Sequence, residues 1–332
     1  MNITYLIGNG FDRNLGLKTS YKEFYNYYKQ QDSANEEIKK FKKKIDIDSE
    51  RWSDLEIALG EETANYSKWE IFEDIYLDIN FQLKKYLLQE ESKLQITPQL
   101  QEKIIKDLIH PEVYLYEASN TSLRNYRSNW NNTKPWNVNI ITFNYTNSIE
   151  RLLDVDNIKD LMNNEYQNPI RLKNIFHIHG TLSEEILVGV NDASQIKNEA
   201  FRNNPDAMDM LVKPNTNKMF ETLITDKCSN IINSSNLICL FGVSIGDTDK
   251  MWWKCIGARL FCGSDKIKMI IFHRGNEMPK FKLGQIKRKC QQYFLKQANQ
   301  LKIDEQVINR NIFVAYNTNM FSKVYTENNI IE

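Results

Sequence analysis

Residues 3–7 are a short apolar run with β-branched and aromatic side chains and no helical spacing, the pattern of a strand buried in a parallel sheet. The run stops at Gly8-Asn9-Gly10, where two glycines one residue apart let the chain turn sharply and leave bare main chain for a ligand. A short polar loop follows. Thr19-Ser20 then precede helical spacing over residues 21–28, with Glu23 placed to close a capping box on Ser20. From there to about residue 130 the pattern is almost entirely helical. Residues 33–45 are charged and sparsely apolar, which predicts an exposed helix. Residues 49–64 set Trp52, Leu55, Ile57, Leu59 and Gly60 among acids. Trp69, Phe72, Ile75, Tyr76, Ile79 and Leu83 form one apolar stripe on a long helix. Pro98 marks another helix start, His110-Pro111 ends it, and residues 113–130 make a further helix.

Strand patterns resume at residues 138–143, which end in Asn144-Tyr145-Thr146-Asn147 and lead to a short helix at 149–153. Residues 156–168 read as a polar connection. Residues 175–179 alternate apolar and polar before Gly180, and residues 186–190 make another short strand. Residues 194–203 and 207–233 are helical, interrupted near Pro214. The strongly apolar strand 237–241 ends in Gly242-Val243-Ser244, and Asp247 or Thr248 caps a helix over 250–261. A strand at 267–272, a cationic helix at 282–301 and a last strand at 312–315 complete the chain. Strand-then-helix alternation predicts a mostly parallel sheet covered on both faces, with a helical insertion over residues 25–135 far longer than an ordinary crossover.

Charge adds little. Lys plus Arg and Asp plus Glu are 43 each, so no net field draws the protein to nucleic acid or an anionic membrane. The local run Lys39-Lys40-Phe41-Lys42-Lys43-Lys44 reads as a solvated helix face rather than a nucleic-acid patch. No apolar run approaches the ~18 residues that span a bilayer, and a chain opening on a strand shows no signal or transit peptide. Cys228, Cys239, Cys255, Cys262 and Cys290 contain no C-x-x-C pair, which predicts a reduced, cytoplasmic setting and no structural zinc. No repeats or low-complexity segments occur.

The candidate chemistry sits at strand ends. G-N-G-F-D, F-N-Y-T, H-I-H-G and F-G-V-S each close a strand, and in an open α/β sheet those ends converge on one crevice. Gly8 and Gly10 resemble a nucleotide-phosphate turn, although the third glycine of G-x-G-x-x-G is missing. Asn144 can hold a ribose hydroxyl or a water, or close a local Asx-turn. His179 is a candidate general base or an interior histidine. His177, two residues earlier, is expected on the same strand face, so the sequence leaves both open. Gly242 and Ser244 offer close approach and a hydroxyl, or form a plain turn before a cap. Asp12 could orient a sugar or tie down its loop. Trp52 with Asp54 and Glu56 reads as a packing anchor with two solvated acids, and Trp252-Trp253 as core. No acidic cluster with metal-ligand spacing marks a nuclease.

The segments I-G-N-G-F-D-R-N-L-G-L-K-T-S-Y-K-E-F, W-S-D-L-E-I-A-L-G, I-T-F-N-Y-T-N-S-I-E, H-I-H-G and F-G-V-S-I-G-D-T-D, taken in order, resemble the AbiH family of bacterial abortive-infection proteins. More distantly they are similar to sirtuin-like domains, which implies a Rossmann-like sheet and an NAD pocket. That resemblance puts NAD phosphates and ribose at Gly8, Asn9, Gly10, Phe11 and Asp12, with Thr142, Gly180, Gly242, Ser244 and Asp247 around the ligand. It assigns Asn144 the sugar or attacking water, and His179 the role of base. It implies hydrolysis of NAD+ at the nicotinamide–ribose bond in the bacterial cytoplasm, with NAD+ as substrate or ligand and no further cofactor. The partners it implies are a phage trigger or partner protein, or further copies of the chain. A nucleotide-binding sensor without turnover is the alternative, and a nucleic-acid-directed effector a weaker one. The pattern departs at Asn9 and Asp12, where sirtuins carry small residues, and at Thr146, where defence sirtuin-like domains often have Asp. The absent C-x-x-C module argues against lysine deacylation.

Overall fold

The computed structural model describes residues 1–48, 51–130, 135–155, 160–163, 169–220, 223–261 and 267–323. Its centre is a seven-stranded sheet built from β1 (Asn2–Ile7), β2 (Trp136–Thr142), β3 (Asp160–Asn163), β4 (Pro169–His177), β5 (Leu237–Phe241), β6 (Lys268–His273) and β7 (Ile312–Tyr316). The order is β3-β4-β2-β1-β5-β6-β7. Every neighbouring pair is parallel except β3–β4, which is antiparallel. After β1 the chain builds outward through β2 and β4, then returns to place β5 on the other side, so the strand order reverses at β1. Register sets the strand ends level. Ile7 lies opposite both Thr142 and Phe241, Thr142 opposite His177, and Phe241 opposite Phe272. Five loops therefore leave the sheet along one line.

Alternation along the strands feeds two cores. Ile3, Tyr5 and Ile7 face a cluster completed by Leu100, Ile104, Leu108 and Leu123, so the helices Pro98–Ile109 and Glu117–Ser128 cover that face. Leu6 and Ile141 face the other, covered by the helices Ile224–Ser234, Lys250–Phe261 and Leu283–Gln297. The remaining helices between β1 and β2 gather Phe24, Phe41, Trp52, Phe72 and Ile79 into a third cluster with Phe201, Val190 and Leu211. The predicted stripe on Trp69–Glu91 is buried in full, and Ser20 and Glu23 form the expected capping box on Tyr21–Tyr28.

Several expectations need correction. The polar loop after Gly10 is instead a short helix, Gly10–Asn14. The exposed helix is Glu36–Ile47, and it buries Ile38, Phe41 and Ile45. Its lysines are partly engaged: Lys39 and Lys40 pair with Glu36 and Glu37, Lys44 with Glu62, and buried Lys42 donates to the Gln31 carbonyl. Residues 113–130 start helically only as the 3-10 turn Pro111–Tyr114, before Glu117–Ser128. The connection 156–168 contains β3, too short and polar to show a period; the rest of it lies outside the described residues. Residues 186–190 form only isolated bridges, Gly180 with Ile186 and Val190 with Val212. Neither Asp247 nor Thr248 caps through its side chain: the 3-10 turn Asp247–Asp249 leads into Lys250–Phe261. Cys228, Cys239, Cys255 and Cys290 are free, while Cys262 lies outside the described residues. No helix among the described residues is long and apolar enough to cross a membrane.

Candidate functional site

A cavity of about 890 Å³ opens where the strand ends converge, beside the point at which the strand order reverses. Gly8, Asn9, Gly10, Asp12, Asn144, His179, Gly242 and Ser244 all line it. Phe11, Thr142, Gly180 and Asp247 do not. The helices between β1 and β2 supply one wall, through Tyr21, Ser53, Asp54, Glu56, Leu83 and Leu87.

The glycines work by close approach. Gly8 N–H donates to the Phe241 carbonyl (2.9 Å) and Gly10 N–H to the Gly242 carbonyl (3.0 Å). The β1 and β5 loops are thus zipped together, and these two amides are already paired. Asn9 is also engaged: its amide donates to the Thr19 carbonyl and accepts from the Thr19 hydroxyl. Phe11 is 1% exposed and packs edge-on against Phe321. Gly180, at φ +77°, makes the turn after β4, and Asp247 is exposed and pairs with Lys250.

Asn144 is held from behind. Its N–H donates to Thr142 Oγ1 (3.1 Å), which is the use the structure finds for Thr142. Its carbonyl accepts from His177 Nδ1 (2.8 Å), while His177 Nε2 donates to Glu150 Oε1 (2.7 Å). Both ring nitrogens of His177 face acceptors. Burial works against the charged ring, but Glu150 and the Asn144 carbonyl outweigh it and hold its pKa above the ordinary value. Asn144 is 6% exposed, and its Nδ2 has no hydrogen-bond partner in a cavity wall where an amide normally finds one. His177 and His179 do not share a face. The strand stops at His177, so alternation no longer applies to His179, which lines the cavity while His177 does not.

Asp12 faces the same space. Its Oδ2 accepts from the Thr146 hydroxyl (2.7 Å), and its Oδ1 has no partner. Burial pushes its carboxyl up to about 6, against the pull of the neighbouring Thr146 and Ser148 hydroxyls. A carboxyl raised on folding stabilises the fold below its ordinary value, and that contribution is lost as pH rises through about 6. His177, also raised, adds a loss of the same sign from 6.5 upward. Asp12→Asn keeps an acceptor for Thr146 and removes the first slope. It should gain up to about 3 kcal/mol at pH 8 and nothing at pH 4. Urea unfolding at both pH values checks this, and a variant no more stable than the parent at pH 8 would refute it.

The most concentrated charge cluster, which borders the cavity through Glu56, His179 and Asp249, was not expected from the sequence. Lys213 Nζ lies 2.8 Å from Glu56 Oε2, 3.1 Å from His179 Nε2 and 3.6 Å from Asp249 Oδ1. His179 Nε2 lies 3.3 Å from Asp249 Oδ1. Four separate pieces of chain meet here: the helix Leu55–Glu62, the turn after β4, the start of the helix Lys213–Met219, and the 3-10 turn Asp247–Asp249. Burial alone would raise Asp249 and depress Lys213. The ion pairs prevail, so Asp249 is lowered to about 2 and Lys213 is raised. Glu56 is raised by burial, which Lys213 only partly offsets. Glu56 and Asp54 are therefore not two solvated acids. Asp54 caps its helix through Ile57 N–H (3.2 Å), Glu56 is buried, and Trp52 is the expected packing anchor at 1% exposure. A signal existed: Glu56 is an acid inside the apolar run Leu55 to Leu59, and Asp249 is the last acid of G-D-T-D. Trp252 and Trp253 are core, with Trp253 stacked on Phe143 beneath the cavity. Among the described residues no three His, Cys, Asp or Glu are placed to hold a metal ion.

The imidazole of His179 lies between Phe143 and Tyr145, and its Nε2 faces both Lys213 Nζ, which can only donate, and Asp249 Oδ1, so the partner it takes sets the tautomer; its Nδ1 is engaged by no other described residue. A sequence model of one family, described as bacteriophage abortive infection AbiH, matches residues 4–273. A search of curated proteins finds no match.

Proposed function

The chain belongs to the AbiH family of bacteriophage abortive-infection proteins, and from that premise, which carries a role in abortive infection, we propose that it acts by hydrolysing NAD+ at the nicotinamide–ribose bond. The observation that carries this reading is the buried, unpartnered Asn144 amide in the same cavity as a histidine set between a lysine and a carboxylate. The strand order and the cavity's place at its reversal support a Rossmann-like, sirtuin-like reading of the sheet.

In the proposed reaction the C1′–N bond breaks and its electron pair leaves with neutral nicotinamide, so no strong general acid is needed. Positive charge builds on the ribose, as in glycoside hydrolysis, and the acidic lining stabilises it. Asn144 Nδ2 donates to a ribose hydroxyl or to the attacking water, and Asp12 Oδ1 accepts from the sugar. Water oxygen bonds to C1′ and, in the tautomer that gives Nε2–H to Asp249, its proton passes to His179 Nδ1, then to solvent. ADP-ribose, nicotinamide and a proton result. Asp249 holds the ring, and Lys213, satisfied by Glu56, keeps Asp249 ionised.

Purified protein incubated with NAD+, with and without phage lysate, should release free nicotinamide. The release should vanish in Asn144→Ala and His179→Ala. Release that survives both changes, or none under either condition, removes the hydrolase reading. One contact favours the sensor alternative. If Lys213 rather than Asp249 pairs with His179 Nε2, the ring proton moves to Nδ1, which then donates to a ligand instead of taking a proton. Tight NAD+ binding without release would identify that state.

A further inference from the structure

The cavity's charges are segregated. Of its carboxylates, Glu56 and Asp249 share Lys213 beside His179, Asp54 caps the helix that carries Glu56, and Asp12 accepts from Thr146 in the turn after β2. Its arginines, Arg13 and Arg274, come from the helix Gly10–Asn14 after β1 and from the end of β6. Arg274 follows directly after β6, and its Nη1 donates to Asn14 Oδ1 (2.7 Å), which draws its guanidinium over the helix Gly10–Asn14 that carries Arg13. Among the described residues neither guanidinium has a carboxylate within 4 Å, whereas several other arginines of the chain, such as Arg51 and Arg171, do. Two guanidinium groups with no carboxylate partner on the lining of one cavity offer an anion charge-assisted hydrogen bonds. His273 lines the same end. Four ladder steps, about 19 Å, separate β4 from β6, the reach of an extended dinucleotide.

We infer that Arg13 and Arg274 form a phosphoryl-binding end of this cavity, opposite the carboxylate end where His179 sits. The inference rests on the nucleotide reading of the site and deepens it. The amides of Gly8 and Gly10 are spent on the β5 loop, so the phosphates of the ligand are held by guanidinium groups instead. The ligand is bipolar, with its cationic or neutral group among the carboxylates and its phosphates at the arginines.

Titration calorimetry on the full chain tests this with ADP-ribose, 2′-phospho-ADP-ribose and adenosine as probes. Both arginines are exposed, so Arg13→Gln and Arg274→Gln should fold as the parent does. ADP-ribose should bind the parent, and each substitution should weaken it on the order of tenfold, with adenosine unchanged. If Arg274 holds a terminal phosphate rather than the pyrophosphate, 2′-phospho-ADP-ribose binds the parent more tightly than ADP-ribose, and only Arg274→Gln abolishes the difference. Equal affinity of parent and variants for both phosphorylated probes, or no binding of either, overturns the inference. A nicotinamide-release assay on the same variants separates the two readings. Arginine-dependent binding without release leaves the phosphoryl end standing and removes the hydrolase. Release with a KM that ignores both arginines does the reverse.

Discussion

Lys213→Met should destabilise the protein by about 3–5 kcal/mol at pH 8, because it strips the shared cation from two buried carboxylates. Lys213 and Glu56 are 4% and 5% exposed, so water cannot replace the lost partner. Methionine fills the space but leaves Glu56 beside Asp249 with only His179 to offset them. The expected response is proton uptake. Glu56 is already raised, and without the lysine it rises further. A carboxyl raised on folding stabilises at low pH and loses that contribution as pH climbs through its folded value, so the deficit should shrink toward pH 4 and be largest at pH 8. The double variant Lys213→Met with Glu56→Gln should recover much of the loss, since it removes the uncompensated charge. Urea unfolding of parent, single and double variants measures both effects. A single variant as stable as the parent at pH 8 would show that the cluster is solvated and the ion-pair description wrong.

Gly242→Ala should cost about 2–4 kcal/mol, combining backbone strain with overpacking. Gly242 has φ +65°, where a side chain is disfavoured, and a Cβ there would sit 2.6 Å from Gly10 Cα. No flexible side chain can yield: the obstacle is the backbone of the β1 loop. The two loops must part, which breaks the Gly10–Gly242 hydrogen bond and shifts Asp12 and Ser244 in the cavity wall. Nucleotide binding should fall together with stability. Gly284→Ala is the control. It lies in the helix Leu283–Gln297 and its Cβ would meet only Arg288 Nη1 at 3.6 Å, so a small gain is expected there. Comparable unfolding curves for Gly242→Ala and Gly284→Ala would rule out the close-approach account.

Much of the scaffold was determined by local sequence alone. Leu237–Phe241 and Lys250–Phe261 have the bounds their patterns predict, because a five-residue apolar run closed by Gly242 is too short for a helix and a 3.6-residue period does not suit a strand. The convergence of Gly10, Asn144, His179 and Ser244 on one cavity was legible for a related reason: each follows within three residues of the end of a strand, and parallel strands in register end side by side. Tertiary structure decided the rest. Glu56, Lys213 and Asp249 lie far apart in the chain, and a charged residue within a helical pattern looks the same whether it meets water or a buried partner. Only the docking of the helices between β1 and β2 onto the strand ends brings those charges together. The face of His179 was likewise beyond periodicity, since alternation holds only while the ladder continues, and the ladder ends at His177. Sequence set which elements form, through interactions a few residues long. Packing between distant segments set which polar groups lose their water, and that loss is what turns ordinary acids, a lysine and a histidine into a site.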